Sequence, residues 1–416
     1  MVSSARETAL AVLERCRRNQ AFSDVLLDSA MRTSGLDSKD RALCTRLCYG
    51  VIQNRILCDY YIDHYLGKGK KLEPKLRDIL RLSAYQLIFM DKIPARAAVS
   101  EGVSLCEKHG LARAKGLANA ILRRLAENRP ALPELPSDDP VQYLSILYST
   151  PEDLVSKLIG GFGAEFTGAF LASSNASLPL TAQVNTLKIT PEALIARFSA
   201  RGISVSPSVF SPDCLALSGA GDLNALPEHT SGLFYVQDAA ARLSVMASGA
   251  GPGDRVLDAC AAPGGKSFAA AIRMENTGSV LACDSHENKL GRVRAGAERL
   301  GISIIDTAVM DASVPPETLT GAFDLVLADV PCSGLGVIRK KPDIRYKALA
   351  DIARLPEVQL AILNGLSACV KPGGVLLYST CTILPEENGG VADRFLAAHP
   401  GFEPEGFTLP EPFGRI

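Results

Sequence analysis

Apolar residues in the first 130 positions recur at the three- and four-residue spacing that is typical of amphipathic helices. Asp37, with Asp40 three residues later, precedes one such stripe and predicts that a helix begins there. Alternating apolar and polar positions, which would indicate strands, do not interrupt this region. The region is therefore predicted to be an all-helical bundle, with stripes over residues 4–30, 43–52, 76–89, 97–109 and 114–125.

Four prolines separate this bundle from the segment that follows it. Pro130, Pro133, Pro136 and Pro140 lack the amide hydrogen that a helix interior requires, so residues 131–140 are predicted to be a linker. The next stretch is predicted to be a small α+β unit. Its predicted elements are strands at 180–187 and 203–209, a helix at 191–200 opened by Thr190 and Pro191, and a loop-like stretch at 206–227.

The last third of the chain alternates strand-like apolar runs with helical stripes. This alternation is typical of a Rossmann-like α/β fold, a doubly wound parallel sheet with helices on both faces. We therefore predict a multidomain protein, with an all-α domain at 1–130, a linker and small α+β domain at 131–236, and an α/β domain at 237–416. The predicted strands are 254–259, 279–284, 303–309, 323–329 and 375–380, and the predicted helices begin at 264, 286, 348 and 385.

Charge is distributed unevenly along the 416 residues, although the net charge is only −1. Residues 1–130 carry 23 Lys and Arg against 14 Asp and Glu, a balance of +9, whereas the remainder carries 21 against 31, a balance of −10. A basic helical module of this kind is typical of nucleic-acid binding. A solvated, arginine-rich surface explains the same counts, but the nucleic-acid interpretation is favoured by a cluster at Arg113, Lys115, Arg123, Arg124 and Arg129.

The sequence also limits the cellular class of the protein. No apolar run reaches the ~18–20 residues that cross a bilayer, and Arg6 and Glu7 stand where a secretory signal needs an apolar centre. We therefore expect a cytosolic protein with no membrane partner. The eleven cysteines include no Cys-x-x-Cys pair. Because Cys44, Cys48 and Cys58 lack a further zinc ligand, we predict that they pack in a helical core and that the chain binds no metal.

The turn after the first strand of the α/β domain, Ala259-Cys-Ala-Ala-Pro-Gly-Gly-Lys-Ser267, has three interpretations. A phosphate-binding P-loop would share its second half, Gly265-Lys-Ser267, but Cys260 occupies the position of the first required glycine. A dinucleotide-binding turn requires Gly-x-Gly-x-x-Gly, which is absent. The third interpretation is favoured: a turn whose backbone approaches a nucleoside cofactor that lacks phosphates.

Acidic residues and cysteines stand at successive strand ends of this domain. Asp284 ends the second strand, 26 residues after Asp258, where a carboxylate can accept both ribose hydroxyls of a nucleoside. Asp311 ends the third strand, near the expected adenine edge. Each acidic residue alone is also explained as an ordinary strand-end or capping residue, but together they favour a cofactor site. Cys332 and Cys381 follow two further strands, so a parallel sheet would bring both thiols into one crevice.

Three segments resemble the signature motifs of the RNA cytosine-5 methyltransferases, which use S-adenosylmethionine. They are Asp258-Ala-Cys-Ala-Ala-Pro-Gly-Gly-Lys266, Asp329-Val-Pro-Cys-Ser-Gly334 and Ser379-Thr-Cys381. The helical first third, with Arg46-Leu-Cys-Tyr-Gly50, is similar to the NusB-type RNA-binding domain of the Fmu/Sun branch of that family. The resemblance covers nearly the whole chain. It implies a bacterial enzyme that methylates C5 of a cytosine in 16S ribosomal RNA, either free or partly assembled, and we expect a monomer.

The resemblance also implies roles for particular side chains. Cys381 is implied to be the nucleophile that adds to C6 of cytosine, and Cys332 to assist loss of the C5 proton and release of the covalent adduct. A nucleophile is needed because C5 of cytosine is itself a poor nucleophile. Contacts with S-adenosylmethionine are implied for the turn and the acidic strand ends, at Cys260, Ala261, Ala262, Pro263, Gly264, Gly265, Lys266, Asp284, Asp311 and Asp329.

Two segments extend or depart from this pattern. The loop Ile338-Arg-Lys-Lys-Pro-Asp-Ile-Arg345 is predicted to bind phosphates that flank the target base, with an ordinary basic surface loop as the alternative. Family members commonly carry histidine at the position of Lys341, so no role of that histidine transfers to this chain. They also continue into a phenylalanine-rich closing strand, whereas this chain ends at Phe413-Gly-Arg-Ile416. We therefore expect the sheet to lack its last antiparallel strand.

Two other protein classes fit parts of the sequence. One is a noncatalytic RNA-binding protein that carries a relic methyltransferase domain, which is disfavoured by the intact Cys332, Cys381, Asp284 and Lys266. The other is a nicotinamide-dependent oxidoreductase, which is disfavoured because its glycine spacing is missing.

Overall fold

The computed structural model describes residues 4–19, 23–67, 69–176, 179–209 and 211–408. The chain forms two compact units, residues 1–176 with 335–349 and residues 177–334 with 350–416. The domain boundaries at 130 and 236 stay a prediction, since the compact units divide the chain at other points. Over the ranges described, no helix is both long and apolar enough to cross a membrane.

The first unit is helical, as the apolar spacing predicts. In its described residues it contains α1 Ala5–Asn19, α2 Ser23–Thr33, α3 Ser38–Gln53, α4 Arg55–Leu66, α5 Pro74–Phe89, α6 Ala95–Lys108, α7 Lys115–Glu127, α8 Pro140–Tyr148, α9 Glu152–Phe162 and α10 Ala164–Asn175. Short 3-10 turns lie at Ala112–Ala114, Arg129–Ala131, Leu335–Val337 and Pro342–Tyr346.

Local chemistry explains where these helices begin and what they bury. The Asp37 side chain accepts a hydrogen bond from the Asp40 amide at 2.8 Å, which confirms the predicted start of α3. Cys44, Cys48 and Cys58 are fully buried among apolar helix faces. The prediction that these three cysteines serve core packing is therefore confirmed.

Residues 335–349, which follow the first cysteine motif in the sequence, are part of this helical unit. Arg345 is only 1% exposed. Its guanidinium donates to the carbonyl oxygens of Gln53 at 3.2 Å and Tyr148 at 2.7 Å, and to Oδ1 of Asn175 at 2.9 Å. The prediction that Arg345 binds substrate phosphates is wrong, because all of these donors face buried protein oxygens.

Neighbouring residues strengthen the attachment of this segment. The Tyr346 hydroxyl donates to the carbonyl oxygen of Ile52 at 2.8 Å, and the Arg55 guanidinium lies 3.5 Å from the centre of the Tyr346 ring. The Ser23 hydroxyl donates to the Asp343 carboxylate at 2.6 Å. The segment is thus held by charge, aromatic and polar contacts together.

The second unit begins with a small antiparallel sheet of strand order β2-β3-β1-β4. The Thr190 hydroxyl oxygen accepts a hydrogen bond from the Ala193 amide at 3.3 Å, which confirms the predicted helix start. The prediction of a loop-like stretch at 206–227 is wrong, because β3 lies within it and pairs with strands on both sides. The elements are β1 Leu180–Val184, α11 Pro191–Ala200, β2 Ser204–Ser208, β3 Ser211–Ser218, α12 Pro227–Thr230 and β4 Phe234–Val236.

The remainder of this unit is a parallel sheet of strand order β7-β6-β5-β8-β9. The chain moves outward in one direction from β5 and in the other from β8, so the predicted doubly wound fold is confirmed. The elements are α13 Ala239–Ala247, β5 Arg255–Asp258, α14 Gly265–Arg273, β6 Ser279–Asp284, α15 Glu287–Leu300, β7 Ile305–Val309, β8 Phe323–Asp329, α16 Leu349–Ile352, α17 Leu355–Ser367, β9 Val370–Ser379 and α18 Gly389–Ala398.

Neighbouring residues of each strand pack into different apolar clusters. Val256 joins a cluster with Phe268 of α14, whereas the next residue, Leu257, joins a second cluster with Leu363 of α17. This is the alternation expected when helices cover both faces of a sheet. The expectation of a missing closing strand stays a prediction, because Phe413–Ile416 lies outside the described residues.

We predict that Arg345→Met lowers the free energy of unfolding by roughly 2–3 kcal/mol, because three partly buried acceptors lose a charged donor. Urea-induced loss of the helical circular dichroism signal measures this change. Arg124→Met is the control, because Arg124 is exposed on α7. Equal destabilisation in the two variants would contradict the anchoring role of Arg345.

Candidate active site

The turn after β5 is fixed by the two strands that flank it. The Ala259 amide donates to the carbonyl oxygen of Leu327 in β8 at 3.0 Å, and the Ala261 amide donates to that of Cys283 in β6 at 2.7 Å. The turn therefore continues the sheet hydrogen bonding beyond the end of β5. It lies at the point where the strand order reverses, where open α/β sheets bind their ligands.

Glycine is required where this turn enters α14. Gly264 has φ of 112°, in the left-handed region, and a Cβ atom there would lie 2.4 Å from the Phe268 ring. The peptide bond between Ala262 and Pro263, one residue earlier in the turn, is cis. Burial raises the pKa of the Cys260 thiol to about 12, so this cysteine of the turn stays protonated at neutral pH.

Asp258 ends β5 and is fully buried. Its Oδ2 accepts a hydrogen bond from the Ser267 hydroxyl at 2.6 Å. Burial, with a smaller contribution from the charge of Asp329, raises the pKa of Asp258 to about 6. The carboxyl group therefore lies near its point of half-ionisation under mildly acidic conditions.

The two other predicted acidic residues differ in their surroundings. Asp284 is buried at the end of β6, and its Oδ1 accepts from the His286 amide and from Lys289 Nζ, each at 3.0 Å. Asp311 is exposed, and it accepts from the Ser313 hydroxyl at 2.6 Å and amide at 2.9 Å. These bonds lower the pKa of Asp311. A cofactor contact at either residue stays a prediction.

Lys266 and Asp329 connect the turn with the ends of β8 and β9. Lys266 Nζ lies 2.7 Å from Asp329 Oδ2, and the Ser379 hydroxyl donates to Asp329 Oδ1 at 3.0 Å. Asp329 and Ser379 are also partners in the parallel register of β8 and β9. The predicted site residues of all three motifs therefore converge at one edge of the sheet.

The two predicted catalytic cysteines lie side by side. Their sulfur atoms are 3.2 Å apart, and the Cys381 amide donates to Cys332 Sγ at 3.3 Å. Cys381 is exposed, whereas Cys332 is partly buried, and neither forms a disulfide in the described structure. The hydrogen bond with Cys381, together with burial, raises the pKa of Cys332. Cys332 therefore stays protonated at neutral pH, and Cys381 is the more accessible sulfur.

Five polar residues of this site were not predicted from the sequence. They are Ser267, which bonds Asp258; Ser379, which bonds Asp329; and Gln359, Glu387 and Asn388, which bond the cysteine loops. The run Pro385-Glu-Glu-Asn388, which follows Cys381 closely and is rich in polar groups, is a signal that could have indicated two of them. Gln359 lies within α17 and carries no such signal.

The donor and acceptor groups present fit a cationic nucleoside cofactor. Asp258, Asp284 and Asp329 place carboxyl groups at three strand ends, where they can accept from hydroxyl and amino groups and balance a positive sulfonium centre. The turn lacks the glycine pattern of a phosphate-binding loop. The fold and the site together define a Rossmann-like methyltransferase joined to a helical domain.

Comparison with protein-family models gives three matches along the chain. Residues 3–127 match the NusB family, residues 150–224 match the ferredoxin-like domain of RsmF/B-like methyltransferases, and residues 246–415 match the 16S rRNA methyltransferase RsmB/F model. The chain is 37% identical over 406 residues to the probable ribosomal RNA small subunit methyltransferase B of Bacillus subtilis, covering 97% of this chain and 90% of that protein. It belongs to the RsmB/F family of S-adenosylmethionine-dependent 16S rRNA methyltransferases.

Other similar proteins agree with this assignment. The ribosomal RNA small subunit methyltransferase B of Pseudomonas putida is 35% identical over 369 residues, covering 88% of this chain and 83% of that protein. The crystal structure of PH0851 has a TM-score of 0.81 at 26% identity, covering 99% and 93% of the two chains. The structure of NSun6 from Pyrococcus horikoshii with SFG, at 22% identity and a TM-score of 0.53, covers 60% and 87% and shows the shared fold.

We predict that Asp258→Asn weakens the pH dependence of stability. A pKa of about 6 in the folded protein, against 3.8 in the unfolded chain, favours folding below pH 4 and loses that contribution as pH rises through 6. The wild-type protein should therefore lose roughly 2 kcal/mol more than the variant between pH 4 and pH 7. Urea unfolding at a series of pH values measures the difference.

Asp311→Asn serves as the control for this experiment. Because the pKa of Asp311 is lowered, its contribution has the opposite sign and is lost as pH falls. Identical pH profiles for the wild-type and Asp258→Asn proteins would contradict the elevated pKa of Asp258.

Proposed function

We propose that this protein transfers the methyl group of S-adenosylmethionine to C5 of a cytosine in 16S ribosomal RNA, through a temporary bond between Cys381 Sγ and C6. The observation that carries the proposal is the 3.2 Å approach of the Cys332 and Cys381 sulfurs, at the same sheet edge as the Lys266–Asp329 ion pair. The cofactor, when bound, supplies an electrophilic methyl group. The protein must supply the nucleophile, the position of the base and the path of the protons.

The first step makes C5 reactive. Cys381, which is exposed, gives its thiol proton to solvent, and its thiolate sulfur adds to C6. The electron pair of the C5–C6 double bond then becomes available at C5 for attack on the methyl group. A thiol with an ordinary pKa of about 8.5 is only a few per cent ionised at pH 7. The exposure of Cys381 admits the base, and the elevated pKa of Cys332 keeps the remaining proton on the other sulfur.

The last step requires loss of the C5 proton and expulsion of Cys381. Once Cys381 is bonded to carbon, its sulfur has no proton or charge to share with Cys332, so the main cause of the elevated Cys332 pKa is removed. Cys332 can then ionise and accept the C5 proton, while the electrons of the C5–H bond restore the double bond and release Cys381 as a thiolate. Cys332 is therefore assigned to adduct release.

Lys266 and Asp329 orient charge beside the reacting ring. Asp329 is held by Lys266 on one oxygen and by Ser379 on the other, so the direction of its carboxylate is fixed before the base enters. Asp329 is assigned to the amino group of the base or of the cofactor. The cofactor contacts assigned to Cys260, Ala261, Ala262, Pro263, Gly264, Gly265, Asp284 and Asp311 complete the proposed site.

The helical unit is assigned to RNA binding. Arg96 and Arg123 line a groove of about 440 Å³ between α6 and α7, with Asn119 on the same wall. Lys115 and Arg129 from the predicted basic cluster are paired instead with Glu107 and Asp91. The target base must be unstacked to reach the thiols, which favours a loop nucleotide or one extruded from a helix. We place the reaction in the cytosol, with a monomer acting on free or partly assembled RNA.

We predict that Cys381→Ala abolishes methyl transfer, whereas Cys332→Ala allows attack but accumulates covalently bound RNA. Transfer of tritiated methyl groups to 16S ribosomal RNA measures the first effect, and denaturing gel electrophoresis of the protein–RNA complex measures the second. Cys16→Ala provides a cysteine control outside the proposed site, because Cys16 packs against the helical core. Accumulation of trapped RNA by Cys381→Ala instead would reverse the two assignments.

We predict that the double variant Lys340→Ala/Lys341→Ala binds RNA more weakly and with a salt slope lower by about 0.7–1.4, as expected for one or two lost phosphate contacts. Both side chains are exposed. Filter binding at a series of salt concentrations gives the slope. Lys70→Ala/Lys71→Ala removes the same charge at exposed positions elsewhere, so equal losses in both double variants would contradict a specific role for the loop.

A further inference from the structure

Hydrogen bonds hold the Cys332 loop on both sides of the thiol. The Ser333 amide donates to Glu387 Oε2 at 2.8 Å, and Gln359 Nε2 donates to the Pro331 carbonyl oxygen at 3.0 Å. Gln359 Nε2 also lies 2.9 Å from the same Glu387 oxygen. Glu387 and Gln359 are fully buried, so water does not compete for these bonds.

Asn388, the residue after Glu387, holds the Cys381 loop in the same manner. Asn388 Oδ1 accepts from the Thr380 hydroxyl at 2.6 Å, and Asn388 Nδ2 donates to the Thr382 carbonyl oxygen at 3.2 Å. A further hydrogen bond of 2.7 Å joins the Ser333 and Thr382 hydroxyls directly. Two consecutive residues therefore hold the loops of two cysteines that are 49 positions apart. Asn388 bonds both neighbours of Cys381, whereas Glu387 bonds Ser333 directly and reaches Pro331 through Gln359.

The element that carries these two residues is itself fixed. Glu387 ends a 3-10 turn, Pro385–Glu387, that directly precedes α18. The Tyr378 hydroxyl, from β9, donates to the Glu387 carbonyl oxygen at 2.5 Å. Glu387 Oε1 is buried without a hydrogen-bond partner in the described structure, a cost that a residue needed only for packing would not impose.

We propose that Glu387 and Asn388 are positioning residues that set the distance between the two sulfurs, Glu387 by holding Cys332 and Asn388 by holding Cys381. This inference deepens the proposed function and rests on it. Neither side chain is assigned to substrate or cofactor. Each acts through the backbone or hydroxyl groups that flank a cysteine, so loss of each should impair the step assigned to that cysteine.

The roles of Glu387 and Asn388 can be distinguished by the reaction step that each variant slows. Asn388→Ala should slow formation of the covalent complex by roughly 10- to 100-fold, because a nucleophile displaced by about 1 Å loses that much rate. The probe is RNA carrying 5-fluorocytidine at the target position, with S-adenosylmethionine present, since fluorine cannot leave C5 as a proton does and the adduct persists. Glu387→Ala should form this complex at a near-normal rate but should accumulate trapped complex on ordinary RNA.

Conservative variants distinguish positioning from general structural damage. Glu387→Gln keeps an oxygen that can accept from Ser333 and Gln359, so it should restore most of the release rate that Glu387→Ala loses. Asn388→Asp keeps the acceptor for Thr380 but not the donor to Thr382, and its rate should be intermediate. Glu386→Ala is the matched control, because Glu386 is the exposed neighbour on the same turn. Calorimetric titration should show unchanged S-adenosylmethionine affinity in every folded variant.

Oxidation by diamide tests the sulfur separation without RNA. Two neighbouring thiols give two protons and two electrons to the nitrogen–nitrogen double bond of diamide and form a disulfide, so the yield of the Cys332–Cys381 peptide reports their proximity by mass spectrometry. Asn388→Ala and Glu387→Ala should lower this yield, and Glu386→Ala should not. If Glu387→Ala does not fold, Gln359→Leu removes the Pro331 contact and takes its place in both experiments.

The outcomes separate this inference from the proposed function. Full methyl transfer by Cys381→Ala would overturn the proposed function whatever the other variants do. A requirement for Cys381, with Glu387 and Asn388 variants that match Glu386→Ala in complex formation, release and disulfide yield, would overturn the positioning roles alone.

Discussion

The parallel pairing of β8 with β9 is the constraint on which the site depends. Its register places Asp329 opposite Ser379, so the loops that follow the two strands leave the sheet side by side. Cys332 and Cys381, 49 residues apart in the chain, then meet at 3.2 Å. A shift of two residues in this register would move one sulfur by about 7 Å along the strand, which would separate the pair.

The pairing also explains why the polar network is concentrated at this edge. The central strands β5, β6 and β8 are mostly buried and are predominantly apolar between their ends. The polar groups of the site lie where the strands end, and they bond to groups at neighbouring strand ends. Lys266, which follows the turn after β5, is paired in this way with Asp329 at the end of β8. The two cysteine loops are bonded to each other and to the segment that carries Glu387 and Asn388.

Much of the sheet could be predicted from the sequence, since buried parallel strands read as continuous apolar runs. The bounds of β6 and β8 agree with their predictions, as do the glycine turn and the strand-end residues. β3 was missed because prolines and serines around it resemble loop sequence, whereas its pairing with strands on both sides decides its conformation. The roles of Gln359, Glu387 and Arg345 could not be predicted. The position of a polar side chain in the sequence does not determine which distant backbone group it will hydrogen-bond.

The burial of Arg345 has a consequence for how segments of this gene can be exchanged during evolution. The helical unit is discontinuous in the sequence, because residues 335–349 complete it from within the stretch that encodes the parallel sheet. A gene fragment ending after α10 would remove the charged donor that the carbonyl oxygens of Gln53 and Tyr148 share. A recombination event that exchanged the sheet-encoding stretch would therefore also exchange residues 335–349, so the helical unit would receive its last segment from the other parent.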